Sequence, residues 1–213
     1  MLNFNKKIAI FGIGGLARDV FYCLKDIFKA NNISIDEQVV FVDKEKTSEN
    51  YFLNCPLLVQ DDFISDDFQV ILAIGTPHIR KQIVANLPEN TLFPSIIHPT
   101  VLMNETAFVG KGVVILPYAV VSCDVKIGDF CIVDRAVQIG HDCKLGNYVH
   151  LSPASVLSGN VTLNSGVEVG TSAALKQNIE IAEETVIGMG AIVLKSIAKK
   201  GIYVGNPAKK LEK

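Results

Sequence analysis

The sequence predicts two architectures in series: a small Rossmann-like α/β unit over residues 1–95, then a parallel β-helix built from a hexapeptide repeat over residues 96–213. Three observations carry this. From Ile97 to Val193 an aliphatic residue or methionine returns at every sixth position. Two places before it runs a second set, small or β-branched, from Val113 and Ala119 to Ala173 and Ile179. Residues 6–95 lack that register and instead alternate apolar runs with helical spacing.

Neither a helix, with its period of 3.6, nor a simple strand, with its period of 2, sustains a six-residue register. A β-helix does. Three short strands and three turns close one coil of about eighteen residues, and coils stack at roughly 4.8 Å. The every-sixth aliphatic points inward, and the small residue before it fits the crowded corner. A small or turn-forming residue often follows the aliphatic, as at Gly110, Gly128, Gly140, Gly146, Gly170 and Gly188. Each coil covers the edge of the one below, so only the two ends need protection.

The N-terminal elements follow in order. Ile8–Phe11 is a buried strand, and Gly12–Ala17 a tight glycine turn. Arg18 to about Lys29 has helical spacing, with Val20, Leu24 and Phe28 on one face. Val39–Val42 is a second strand, ending at Asp43, and Val70–Ile74 a third, ending in Gly75-Thr76-Pro77. Pro77 suits the first turn of a helix over His78 to Asn86. Strands alternating with helices imply a small parallel sheet. No linker or low-complexity tract separates the halves, so they should pack together.

Composition narrows the class. Lys plus Arg is 20 and Asp plus Glu is 22, a formal charge of −2, which gives no support for nucleic-acid or polybasic membrane binding. No apolar run approaches eighteen residues, which speaks against membrane insertion. Lys6 and Lys7 precede an apolar run that glycines interrupt, with no cleavage-like site, so no signal peptide is expected. Five cysteines without CxxC spacing read as reduced, mostly buried thiols of the cytoplasm.

The glycine turn fits G-x-G-x-x-A through Gly12, Gly14 and Ala17. Such a turn lets a phosphate approach the backbone and face the amides of a helix N-terminus. Asp43, ending the second strand, sits where a carboxylate meets ribose or sugar hydroxyls. With only about one mononucleotide half of the doubly wound fold present, a nucleotide or nucleotide sugar is a better ligand than a dinucleotide.

A short Rossmann-like domain with this turn, followed by a hexapeptide β-helix, resembles the bacterial sugar acetyltransferases of the bacillosamine N-acetyltransferase and sialic-acid O-acetyltransferase type. Ile139-Gly140-His141-Asp142-Cys143 and the tail Tyr203-Val204-Gly205-Asn206-Pro207-Ala208-Lys209 sharpen the resemblance, which covers nearly the whole chain. It implies a left-handed β-helix, a homotrimer, acetyl-CoA held in the groove between adjacent subunits, and a nucleotide-linked amino sugar held by the N-terminal domain.

An amine attacking a thioester must lose a proton, and the thioester oxygen gains charge. An imidazole suits the first task because it titrates near neutrality. His141 follows a repeat glycine and should leave the coil near a turn, with Asp142 placed to hydrogen-bond the ring. By resemblance, His141 is the general base and Asp142 its partner. The resemblance also assigns His150 to acetyl-CoA, and places Gly159, Thr171 and Met189 where main-chain groups line its pantetheine arm. Gly14, Gly15, Leu16, Asp43, Lys44 and Gly75 match its sugar-nucleotide pocket. Two positions depart from the pattern: Leu16 stands where relatives often have histidine, and Asp134 where a relative has asparagine.

The leading expectation is an acetyl-CoA-dependent N-acetyltransferase acting on a nucleotide-linked 4-amino-4,6-dideoxy sugar. Its rivals are an O-acetyltransferase of sialic acid or another sugar, and a non-catalytic β-helix scaffold. A zinc hydratase on the same fold needs three converging histidines. His98 lies more than two coils below His141, about 10 Å of stacking, so no metal is expected. In the tail, Lys199, Lys200, Lys209 and Lys210 could face the phosphates of coenzyme A or simply be solvated.

Overall fold

The computed structural model describes residues 2–35, 37–44 and 50–212. The N-terminal part runs β1 (Lys7–Phe11), α1 (Gly15–Ala30), β2 (Val39–Asp43), β3 (Tyr51–Phe52), β4 (Cys55–Val59), β5 (Phe68–Leu72) and α2 (Pro77–Asn86). The strands form one sheet in the order β3-β4-β2-β1-β5, with β4, β2, β1 and β5 parallel and β3 antiparallel at the edge. Successive residues of β1 point to opposite faces. Ile8 and Ile10 meet Val20, Leu24 and Phe28 of α1, while Ala9 and Phe11 share a cluster with Ile83 of α2. The sheet is therefore covered on both sides, as a parallel sheet requires.

Two features differ from expectation. The third predicted strand lies two residues earlier, at Phe68–Leu72 rather than Val70–Ile74. The chain leaves the ladder at Ala73, whose carbonyl would be 3.0 Å from a Cβ on Gly12. The strands at Tyr51–Phe52 and Cys55–Val59 were not anticipated, because Asn54 and Pro56 interrupt any apolar alternation there.

From Ile96–Ile97 to Ile192–Val193 the chain is a succession of two-residue strands, each pairing in parallel with the strand eighteen residues on. They sort into three sheets, the three faces of a prism. The predicted register is its core: Val113, Ile115, Val121, Ile127, Val133, Ile139 and their successors are buried together. Each corner turns on a residue with positive φ, recurring every sixth position from Tyr118 (64°) through Asp142 (60°) to Glu184 (52°). Most are not glycine. The glycines after the aliphatic series serve close approach between coils instead. A Cβ on Gly140 would lie 2.8 Å from the amide nitrogen of Gly159, and one on Gly170 would lie 2.5 Å from that of Met189.

The N-terminal part packs on one of the three faces. Outward-pointing Val114, Leu116 and Ile132 of that face join the α1 cluster. Polar links reinforce this seat: Asp26 of α1 meets His98 at 3.1 Å, and Asp19 meets Arg135 at 3.3 Å. Asp26 and Asp19 are seven residues apart, on one side of the helix. His98 and Arg135 stand two coils apart, so α1 runs along the stack with its N-terminus toward the later coils. The seventeen short coil strands from Ile96–Ile97 to Ile192–Val193 are β6 to β22, and beyond Val193 the chain adds β23 (Ile202–Val204), parallel on the strand Val186–Ile187, and then reverses into the antiparallel β24 (Lys209–Lys210).

Candidate active site

His141 emerges at the corner that follows the strand Gln138–Ile139. Its carbonyl accepts from the Asn160 amide at 2.7 Å, locking the corner to the next coil. Asp142 adopts the left-handed conformation that this corner demands, which aspartate tolerates better than most residues. The Asp142 amide donates to the Cys123 carbonyl at 3.1 Å in the coil below. The pair is thus held by main-chain bonds above and below.

The imidazole Nδ1 lies 2.7 Å from Asp142 Oδ2. A carboxylate only accepts, so Nδ1 carries the proton and Nε2 the lone pair. Both side chains are more than half exposed, at 62% and 57%. The ring is flanked by Gly159, where a Cβ would stand 2.5 Å from Cε1 and Nε2. An oriented imidazole with its basic nitrogen unbonded and open to solvent is what proton abstraction needs.

At the carboxyl end of the N-terminal sheet lies a cleft of about 670 Å³, lined among others by Gly12, Ile13, Asp43, Lys44, Gln60 and His78. It opens between β1 and β5, where the parallel strand order reverses, β2 lying on one side of β1 and β5 on the other; such switch points bind ligands. Gly12 has φ 110° and no room for a Cβ, so glycine is required there. Gly14 is the N-cap of α1, and neither Gly14 nor Gly15 would meet any atom within 4 Å of an added Cβ. The first turns of α1 and α2 carry no acidic residue, so both leave their amide ends to an incoming anion. Asp43 and Lys44 line the cleft, and Asp43 Oδ1 accepts from the Lys44 amide at 2.6 Å. Leu16 is half-buried and packs on the α1 cluster.

Gly75 leaves the cleft for the β-helix. A Cβ on it would come within 3.1 Å of His150 Cε1. His150 is tucked under this loop; burial and the Arg80 guanidinium push its pKa down to about 4, so it is neutral at physiological pH. Its Nε2 is buried without a hydrogen-bond partner among the described residues. The positions assigned to acetyl-CoA therefore fall in three places. Gly159 adjoins His141, Thr171 and Met189 share another corner, where Gly190 N donates to Thr171 O at 2.8 Å, and His150 lies beneath the N-terminal part. One chain does not bring them together. Nor does it unite His141 with the cleft, because the N-terminal part sits on the one prism face that does not border the His141 corner.

Residues 7–87 match the family described as PglD N-terminal domain. The acetyltransferase domain of PglB from Neisseria gonorrhoeae FA1090 is 28% identical and superposes with a TM-score of 0.87, covering 97% of this chain and 100% of that one. The same domain in complex with acetyl coenzyme A gives a TM-score of 0.86. The chain is an acetyltransferase whose N-terminal part resembles the PglD N-terminal domain. WeeI from Acinetobacter baumannii AYE, 25% identical, superposes with a TM-score of 0.88 over 96% of this chain and 99% of that one. PerB from Caulobacter crescentus, solved in complex with CoA and GDP-perosamine, shares the fold at 24% identity and a TM-score of 0.84, covering 97% of each chain.

Two further residues near the cleft were not legible in the sequence. His78, on the first turn of α2, lines the cleft, and Arg80, one turn in, is fully buried. In the sequence both look like ordinary polar residues of a surface helix. Asp134 is buried and raised in pKa by that burial, beside Arg135, whose amide donates to it at 2.6 Å. No group of three or more His, Cys, Asp or Glu side chains among the described residues is arranged to hold a metal. All five cysteines are free. Among the described residues no helix is long and apolar enough to cross a membrane.

Proposed function

We propose that this acetyltransferase moves the acetyl group of acetyl-CoA onto the amine of a nucleotide-linked 4-amino-4,6-dideoxy sugar, with His141 as general base. The observation that carries this reading is the His141–Asp142 contact of 2.7 Å, which leaves Nε2 free and accessible. The bound states of relatives support the choice of substrates: the PglB domain with acetyl coenzyme A, and PerB with CoA and GDP-perosamine.

Nε2 takes a proton from the amine as its nitrogen attacks the thioester carbonyl. The tetrahedral oxyanion collapses, the C–S bond breaks, and the imidazolium returns the proton to the departing sulfur. The products are the acetamido sugar and CoA thiol. Asp142 keeps the ring oriented and stabilises the imidazolium that forms.

Residues 1–95 hold the nucleotide in the cleft at Gly14, Gly15, Asp43 and Lys44, and residues 96–213 hold acetyl-CoA along Gly159, Thr171, Met189 and His150. The separation of His141 from the cleft within one chain favours a homotrimer in which the cleft of one copy faces His141 of its neighbour. The enzyme works in the cytoplasm, where acetyl-CoA is made. The test is a thiol-release assay with acetyl-CoA and UDP-, dTDP- and GDP-linked 4-amino sugars, alongside a sialic acid. Release with an amino sugar supports the reading; release with the sialic acid alone overturns it.

A further inference from the structure

The reaction above makes no use of Arg80, yet among the described residues no other charged side chain is so deeply enclosed, at 0% exposure. Its Nε donates to the Phe130 carbonyl at 3.1 Å. Nη1 donates to the carbonyls of Ile74 and Gly75, at 2.8 and 2.6 Å. Nη2 donates to those of Tyr148 and Val149, at 2.6 and 3.3 Å. A guanidinium has five N–H bonds, and each here has a carbonyl. Burial lowers its pKa to about 10, which leaves it cationic at neutral pH.

The acceptors fall into two groups. Ile74 lines the cleft, and Gly75 follows it directly in the chain. Phe130 and Tyr148 lie one coil apart, and the coil between them carries His141. We infer that Arg80 is a positioning residue, one that pins the rim of the cleft to the coil bearing His141 and so sets the height at which a bound nucleotide sugar meets the acyl donor. This rests on the function proposed above. Where identical copies are related by an axis along the stack, equivalent coils stand at equal height, so a clamp to the chain's own coil also sets the level of the neighbour's His141. Lysine substitutes only in part, having three donors at one point rather than a planar fork of five.

The test compares wild type with Arg80→Lys and Arg80→Met by calorimetric titration with acetyl-CoA and with UDP, GDP and dTDP, and by steady-state kinetics. Expected is a split: nucleotide affinity and sugar kcat/KM fall by roughly 10²-fold in Arg80→Met, as misplacement by about 1 Å can do, and by less in Arg80→Lys, while acetyl-CoA affinity stays within about twofold in both. Gly75→Ala pushes the same rim from the opposite side, against His150, without touching the guanidinium, and shows the same split. Equal losses for both ligands, or unchanged nucleotide affinity in a folded variant, overturn the inference. A wild-type enzyme that binds a nucleotide but transfers no acetyl group would sink the proposed reaction while leaving the Arg80 assignment readable by titration.

Discussion

The His141 imidazole occupies the space that a side chain on Gly159 would need, with Cε1 and Nε2 both 2.5 Å from the position of a Cβ there. Coil stacking thus brings a residue eighteen positions downstream to one side of the ring, while Asp142 holds the other. The ring can swing away into solvent, so Gly159→Ala should fold normally. Turnover should fall by about 10²-fold, the cost of a displaced base. Thermal melting and kcat measured together check this, and a variant at full speed would contradict it.

Removing the base should show its worth. His141→Ala is expected to lower kcat by about 10²–10⁴-fold with acetyl-CoA affinity nearly unchanged. Asp142→Asn keeps a hydrogen-bonding group beside Nδ1 but removes the charge that steadies an imidazolium. Its kcat should lie between those of wild type and His141→Ala in the same assay.

The acid limb of stability should report His150. Its folded pKa of about 4 lies below the ordinary histidine value, so its contribution is fully present above pH 6.5. It is lost as pH falls toward 4, where the penalty for charging the buried ring approaches roughly 3 kcal/mol. Glu168 and Asp134, raised by burial, act with the opposite sign, so the informative quantity is a difference. Melting curves of wild type and His150→Leu between pH 7 and pH 5 should diverge, with the wild type losing more.

The glycines should separate by what surrounds them. Gly170→Ala drives a Cβ into the Met189 main chain, which has no flexible end to yield, and should cost about 1–3 kcal/mol in denaturant unfolding. Gly15→Ala meets nothing and opens a helix, so it should leave stability unchanged or raise it by about 0.5–1 kcal/mol. A phosphate approaching that backbone would feel the methyl, so nucleotide affinity measured by titration should weaken in the same variant.

The β-helix was legible because its register is local and repeated: Val113, Ile115 and every equivalent pair face one shared axis. The exposed corner position of His141 was legible for the same reason, since a repeat position fixes where its side chain must leave the coil. The Arg80 clamp was not. Its acceptors are main-chain carbonyls 50, 68 and 69 residues away, and carbonyls leave no mark in residue identity. The outward residues Val114 and Ile132 were also obscure, because a repeat defines what points in but not what covers its outer face. Strand β4 was hidden by Pro56, which the sheet accepts where β4 turns toward the short antiparallel β3.

A stack of parallel strands has no intrinsic length, and its last rung is a template for another chain. Here the final parallel strand, β23, is followed by a reversal, and the edge beyond it is Lys209–Lys210, running the other way and charged. A second molecule arriving end-on would meet mismatched polarity and two ammonium groups. The hairpin therefore closes this face of the prism against strand-by-strand growth.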